Sequence, residues 1–158
     1  MRQLNTRRGV TLIELMVGLV IMAVLTGMAA PFFGDYITNS RLREGGNALM
    51  AEALYAQSEA LKRNGVVRLS ITGTATQVID MTQTVPATLR TRTFTQGLAA
   101  DALNIDFGSD GMTRPRGTDV VADMSIAGVT CSSEQRCPRL RIDAGGAILL
   151  CGNKLSCP

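Results

Sequence analysis

From Val10 to Phe33 the chain carries a single charge, Glu14, in an otherwise apolar run, and Arg7, Arg8 and Gly9 stand immediately before it. As an α-helix this run is about 36 Å long, enough to cross the hydrocarbon of a bilayer at 1.5 Å per residue. An ionised carboxylate inside hydrocarbon costs several kcal/mol, so Glu14 is expected to have a task that repays its placement. The basic side chains explain the orientation. Of the 16 basic residues, Arg2, Arg7 and Arg8 precede Gly9, which leaves 13 against 13 acidic residues from Val10 onward, although the whole chain is +3. The excess holds the N-terminus on the cytoplasmic side and places everything after Phe33 in the periplasm or beyond.

A secretory signal peptide is the ordinary alternative, with Thr26-Gly27-Met28-Ala29-Ala30 as an imitation of its small-residue cleavage site. It leaves the Gly9 boundary and the position of Glu14 unexplained. Arg7-Arg8-Gly9-Val10-Thr11-Leu12-Ile13-Glu14 resembles the class III signal of type IV pilins and type II secretion pseudopilins. The resemblance implies that a prepilin peptidase cuts between Gly9 and Val10 and methylates the new amine. Val10 departs from the phenylalanine or methionine often found after that cut. Glu14 becomes the fifth mature residue, which the family uses for docking subunits against the methylated amine. Pro31 is the twenty-second residue from Val10, where pilins often carry a helix-kinking proline. Its missing amide hydrogen deprives the Gly27 carbonyl of a helical partner.

Helix signals resume after Phe33. Leu42, Leu49 and Ala56 recur every seven residues, Ala53 and Ala60 lie on the adjoining face, and Arg43, Glu44, Glu52 and Glu59 are interspersed. That is an amphipathic helix laid on a sheet. Gly45-Gly46 within it reads as a close packing contact in preference to a hinge, and Asn64-Gly65 ends it. The period then changes to two over 66–72, 76–80, 85–94, 103–107, 120–129, 139–143 and 147–151, with turn residues between. Gly145-Gly146 predicts a tight two-residue hairpin turn.

The expected class is therefore α+β, a long N-terminal membrane-spanning helix packed on a C-terminal antiparallel sheet domain. Residues 1–9 form the leader, 10–33 the membrane and polymerisation helix, 34–65 its amphipathic continuation, and 66–158 the β domain. Ala56-Gln57-Ser58-Glu59-Ala60-Leu61-Lys62-Arg63-Asn64-Gly65 resembles the helix end of the GspH/FimT group, which holds FimT/FimU-type minor pilins and the H-type pseudopilin. What this resemblance implies is a minor pilin assembled into a type IV pilus, in a priming or tip complex. A type II secretion pseudopilin and a DNA-binding minor pilin of natural transformation are the alternatives. The partners implied are prepilin peptidase, other pilins or pseudopilins and inner-membrane lipid.

Cys131, Cys137, Cys151 and Cys157 are the four cysteines. In an oxidising compartment an even number favours two disulfides. A zinc site usually has tighter C-x2-C pairs, and the chain has no histidine to complete a mixed one. The local pairs Cys131–Cys137 and Cys151–Cys157 are slightly preferred to a crossed arrangement, which would tie Cys137 to the tail. No histidine also removes the usual general base, so no enzymatic activity, catalytic residue or cofactor is expected. Asp106 and Asp110 lack the spaced ligands of a helix-loop-helix calcium site and suit turns better. Arg136, Arg139 and Arg141, with Arg114 and Arg116 near by, are the candidate phosphate contacts. DNA-binding members of the group carry Gly-Arg-x-Arg at the final hairpin, where this chain has Gly145-Gly146-Ala147-Ile148, and no aromatics interleave with the arginines. DNA binding is therefore expected to be weak or absent.

Overall fold

A computed structural model describes residues 10–95 and 97–157, the side chains of 29–32 excepted. Two compact units share the chain, one ending at Tyr36 and the other beginning at Ile37. Helix α1, Leu12–Arg63, passes through both. The leader, with Gly9, lies outside the described residues, and so do the Pro31 side chain and the kink expected there. No single helix among the described residues is long and apolar enough to cross a membrane. Leu12–Met28 and Phe33–Arg63 meet that requirement by length and composition only when taken together.

In the second unit α1 ends where Asn64-Gly65 predicts. Asn64 takes the left-handed conformation with φ 51°, Gly65 N–H donates to the Ala60 carbonyl and Asn64 N–H to the Leu61 carbonyl. These are the paired bonds of a Schellman motif, which satisfy carbonyls that the last turn would otherwise orphan. Gly65 is needed for space: a Cβ there would stand 2.1 Å from Thr82 Cγ2.

The strands are β1 Val67–Ile71, β2 Ala75–Asp80, β3 Ala87–Thr93, β4 Leu98–Ala100, β5 Leu103–Phe107, β6 Thr113–Arg114, β7 Val120–Ile126, β8 Arg139–Ile142 and β9 Ile148–Cys151, followed by a short 3-10 turn, Lys154–Ser156. They form a five-stranded sheet in the order β3-β2-β1-β5-β6 and a four-stranded sheet in the order β4-β7-β8-β9; the pairings are antiparallel. β4 and β6 escape the sequence reading because two or three residues show no period. The expected run through Val129 stops at Ile126, where Gly128 turns the chain with φ 79°.

Alternation does the rest. β1 and β2 bury every second residue, Val67, Leu69 and Ile71 against Thr76, Val78 and Asp80. Leu42, Leu49, Ala53, Ala56 and Ala60 meet them, and Ile105, Phe107, Ala122, Met124, Leu140 and Ile142 complete one core shared by the helix and both sheets. Gly45 and Gly46 sit where α1 packs tightly against residues of the second sheet and its approach. A Cβ on Gly45 would lie 2.7 Å from Met124 Cε, and one on Gly46 would lie 2.8 Å from Pro138 Cβ. The pair is a packing contact, and the helix continues through it.

One turn differs from its expectation. Asp143 N–H donates to the Ala147 carbonyl, so the β8–β9 hairpin closes over Ala144, Gly145 and Gly146, and only Gly146 has positive φ. Asp143 Oδ1 accepts from Gly145 N–H and Ala147 N–H at 3.0 and 2.8 Å. That carboxylate stabilises a three-residue loop over the two-residue turn that Gly-Gly suggests.

Candidate assembly segment and surface arginines

Thr11 precedes the first helical residue, and its hydroxyl oxygen accepts from the backbone N–H of Glu14 at 3.3 Å. Leu15 N–H donates to the Thr11 carbonyl at 3.2 Å. Thr11 is thus an N-cap, and Thr11-x-x-Glu14 has the spacing of a capping box. Glu14 is exposed in the first turn, where a carboxylate complements the positive end of the helix dipole. The side chains around it are apolar on every side of the helix. From Val10 to Met28 the large ones, including Leu12, Leu15, Met16, Leu19, Ile21 and Leu25, are at least half exposed. A helix apolar all round needs a membrane or a bundle of other helices to cover it, and Glu14 is its single charge.

The three arginines singled out by sequence do not form a free cluster. Arg139 and Arg141 share one face of β8 as their spacing requires. Arg139 grips Asp123 with two donors, Nε at 2.5 Å and Nη2 at 2.9 Å, and Lys154 Nζ lies 3.3 Å from the same carboxylate. Arg141 Nη2 donates to Asp119 at 2.8 Å, and Asp119 also caps Ala144 N–H. Arg114 and Arg116 both bond Asp110. The arginines hold these carboxylates below their ordinary range: Asp123 through Arg139, Asp119 through Arg141, and Asp110 through Arg114 to about 2. β8 lies between β7 and β9, so Arg139 and Arg141 stand within the sheet and not on its edge. Arg136 is exposed and stands apart on the loop before β8. Asp106, the other aspartate of the faint calcium pattern, is held by Arg68 at 2.6 and 2.8 Å.

Cys131 is bonded to Cys137 and Cys151 to Cys157, and the two loops are stitched together. Asn153 Nδ2 donates to the Ser132 carbonyl, and Lys154 N–H to the Cys137 carbonyl at 2.7 Å. On the helix, Asn39 mimics a strand partner for the first loop, donating to the Glu134 carbonyl and accepting from Arg136 N–H. Gln57 Nε2 donates to the carbonyls of Gly111 and Gly146, at 2.8 and 2.7 Å, and so fixes two turns from different sheets.

Sequence reasoning passed over Asn39, Gln57 and, above all, Glu52, which is fully buried. The signal for Glu52 was available: it sits three residues after Leu49 and four before Ala56, on the buried stripe.

A model of the prokaryotic N-terminal methylation motif matches residues 4–30. No curated protein sequence matches the chain significantly. Among solved structures the type IV minor pilin FimU of Pseudomonas aeruginosa superposes with a TM-score of 0.59 at 21% identity, covering 70% of this chain and 88% of FimU. The minor pseudopilin EpsH of the Vibrio cholerae type 2 secretion system gives 0.55 at 14%, over 71% and 97%. GspH of E. coli gives 0.56 at 15%, over 76% and 94%. Motif and fold together define a pilin-like chain. Its fold is the one these GspH and FimU structures share, a long N-terminal helix on antiparallel sheets.

Proposed function

We propose that this chain is a minor pilin, inserted in the bacterial inner membrane by its N-terminal helix and drawn from there into a type IV pilus, in its priming or tip complex. The methylation motif over residues 4–30, whose helical stretch from Leu12 to Met28 is apolar on every face and bears the lone carboxylate Glu14, carries this reading. A membrane covers such a helix before assembly, and neighbouring pilin helices cover it afterwards. Prepilin peptidase cuts after Gly9, and the methylated ammonium of Val10 then meets Glu14 of its own or an adjacent subunit. Opposite charges in a medium of low dielectric convert the cost of burying each into an attraction that sets register. Pro31 is the proline expected to bend the helix, and the β domain faces the periplasm.

A pseudopilin of a type II secretion system is the second reading, favoured by the folds of EpsH and GspH, each almost wholly covered by this chain. Deleting the gene and assaying both outputs separates the two. Loss of pili or twitching with intact protein export supports the minor pilin. Lost export with normal pili replaces it by the pseudopilin, and no change in either sinks both.

A further inference from the structure

Glu52 is the least expected side chain in the second unit: fully buried, with neither carboxylate oxygen hydrogen-bonded. Its charge is met by two arginines of β3, Arg92 Nε at 3.0 Å and Arg90 Nε at 3.4 Å from the same oxygen. Their position follows from register. Arg90 pairs with Val78 and Arg92 with Thr76, both fully buried, so the arginines lie on the helix side of the sheet and reach past its border to Glu52. Arg90 also lies over the Tyr55 ring, 5.2 Å from its centre. Both arginine side chains remain about two-fifths exposed, at 42% and 40%, against 1% for that of Glu52. Two cations thus face one anion, and a positive charge is left over on a strand border.

That border is open. Among the described residues the other three sheet edges are β6, β4 and β9, of two, three and four residues, the last tied by the Cys151 disulfide. β3 has seven, mostly exposed, and no second strand lies on its outer side. Natural edges of this length are usually blunted by outward charges, proline or covering chain. Here the charges turn inward to a buried carboxylate that holds them side by side. A second copy pairing through β3 would set Arg90 and Arg92 against their own equivalents, and like charges opposed across strands repel. The edge is guarded against itself and left open to an acidic strand.

We propose that β3 is a docking edge for an extended segment of a different protein that bears carboxylates at alternating positions. Main-chain hydrogen bonds to β3 supply affinity, and a carboxylate on the face shared by Arg90 and Arg92 supplies selection. The inference rests on the second unit alone and does not depend on the fate of the N-terminus.

The test uses the full chain in detergent micelles, with a short peptide of alternating threonine and glutamate as probe and the same peptide with lysine for glutamate as control. Amide hydrogen exchange should show alternate N–H groups of 87–93 slowed by the glutamate peptide only. Arg90→Gln with Arg92→Gln strands Glu52, so the triple variant with Glu52→Gln is the better one: it removes all three charges together. It should fold and lose affinity by about tenfold or more. Equal binding of the lysine peptide, slowed exchange confined to other strands, or no binding at about millimolar glutamate peptide overturns the proposal. So does an oligonucleotide that binds through Arg90 and Arg92 while the β3 amides stay unprotected.

Discussion

The hydroxyl of Thr11 accepts the backbone N–H of Glu14, so the residue that caps α1 also fixes the backbone of the one charged residue in the apolar run 10–33. An orphan N–H has no water to turn to in hydrocarbon, and an N-cap is correspondingly valuable there. Thr11→Ala is expected to cost about 1 kcal/mol of local stability and to speed exchange of the Glu14 amide, while Thr11→Ser restores it. Equal exchange in all three proteins would show that the cap does not operate.

Glu14→Ala removes a charge from an apolar helix, so membrane insertion should be unchanged or better. Incorporation into a filament should fall sharply, because the partner proposed for the Val10 ammonium is gone. Fractionation and immunoblotting of sheared filaments measure both. Wild-type incorporation of the variant would end the docking role.

Gly45 and Gly46 look alike in sequence and differ in what they face. Gly45 faces the end of the flexible Met124 side chain, whereas Gly46 faces the rigid ring of Pro138 and Leu150. Gly46→Ala is expected to destabilise by about 1–3 kcal/mol through overpacking, and Gly45→Ala by less, since Met124 can swing away. Denaturant melts of the two variants order them, and the reverse order contradicts the packing described.

Much of this was legible beforehand for a physical reason. The helix, its end at Asn64-Gly65 and the longer strands each repeat a period over enough residues to be read. What was missed depends on partners distant in sequence. Arg139 and Arg141 looked like a basic face because Asp123 and Asp119 reach them only once β7 and β8 pair. Glu52 looked like a solvated charge because Arg90 and Arg92 lie some forty residues away. Gln57 gave no signal, since its task is defined by two loops that meet only in the fold. The Gly-Gly turn was mistaken because Asp143, just before it, was not counted among the loop's hydrogen-bonding groups.

The aspartate–arginine pairs make the β domain acid-sensitive in a definite window. Asp80, Asp110, Asp119 and Asp123 titrate below the usual range, Asp80 mainly through the Thr82 hydroxyl and Asp110 at about 2. A carboxylate lowered by folding contributes stability that is complete above its unfolded value, about 4, and is lost as pH falls through the folded value. The melting temperature should therefore hold on the neutral side and drop below about pH 4. Asp123→Asn should lower it at neutral pH, with the difference from wild type shrinking in acid. A difference that grew in acid would assign the wrong sign to this pair.

DNA should bind weakly. From Val10 onward the chain is neutral, and Arg114, Arg116, Arg139 and Arg141 are each engaged by an aspartate, so few counterions are released on contact. Anisotropy titration at physiological salt should show no low-micromolar binding, and Arg136→Ala should change little. Tight binding abolished by Arg139→Ala with Arg141→Ala would bring the DNA-receptor reading forward.

Intact mass and N-terminal sequencing of the protein recovered from its native envelope test the pilin-like assignment most directly. The expected chain begins at Val10, lacks residues 1–9 and carries one methyl group on its amine, with the pairs Cys131–Cys137 and Cys151–Cys157 still oxidised. A chain that retains Met1, or one that begins at Pro31 after a cut behind Ala30, contradicts it.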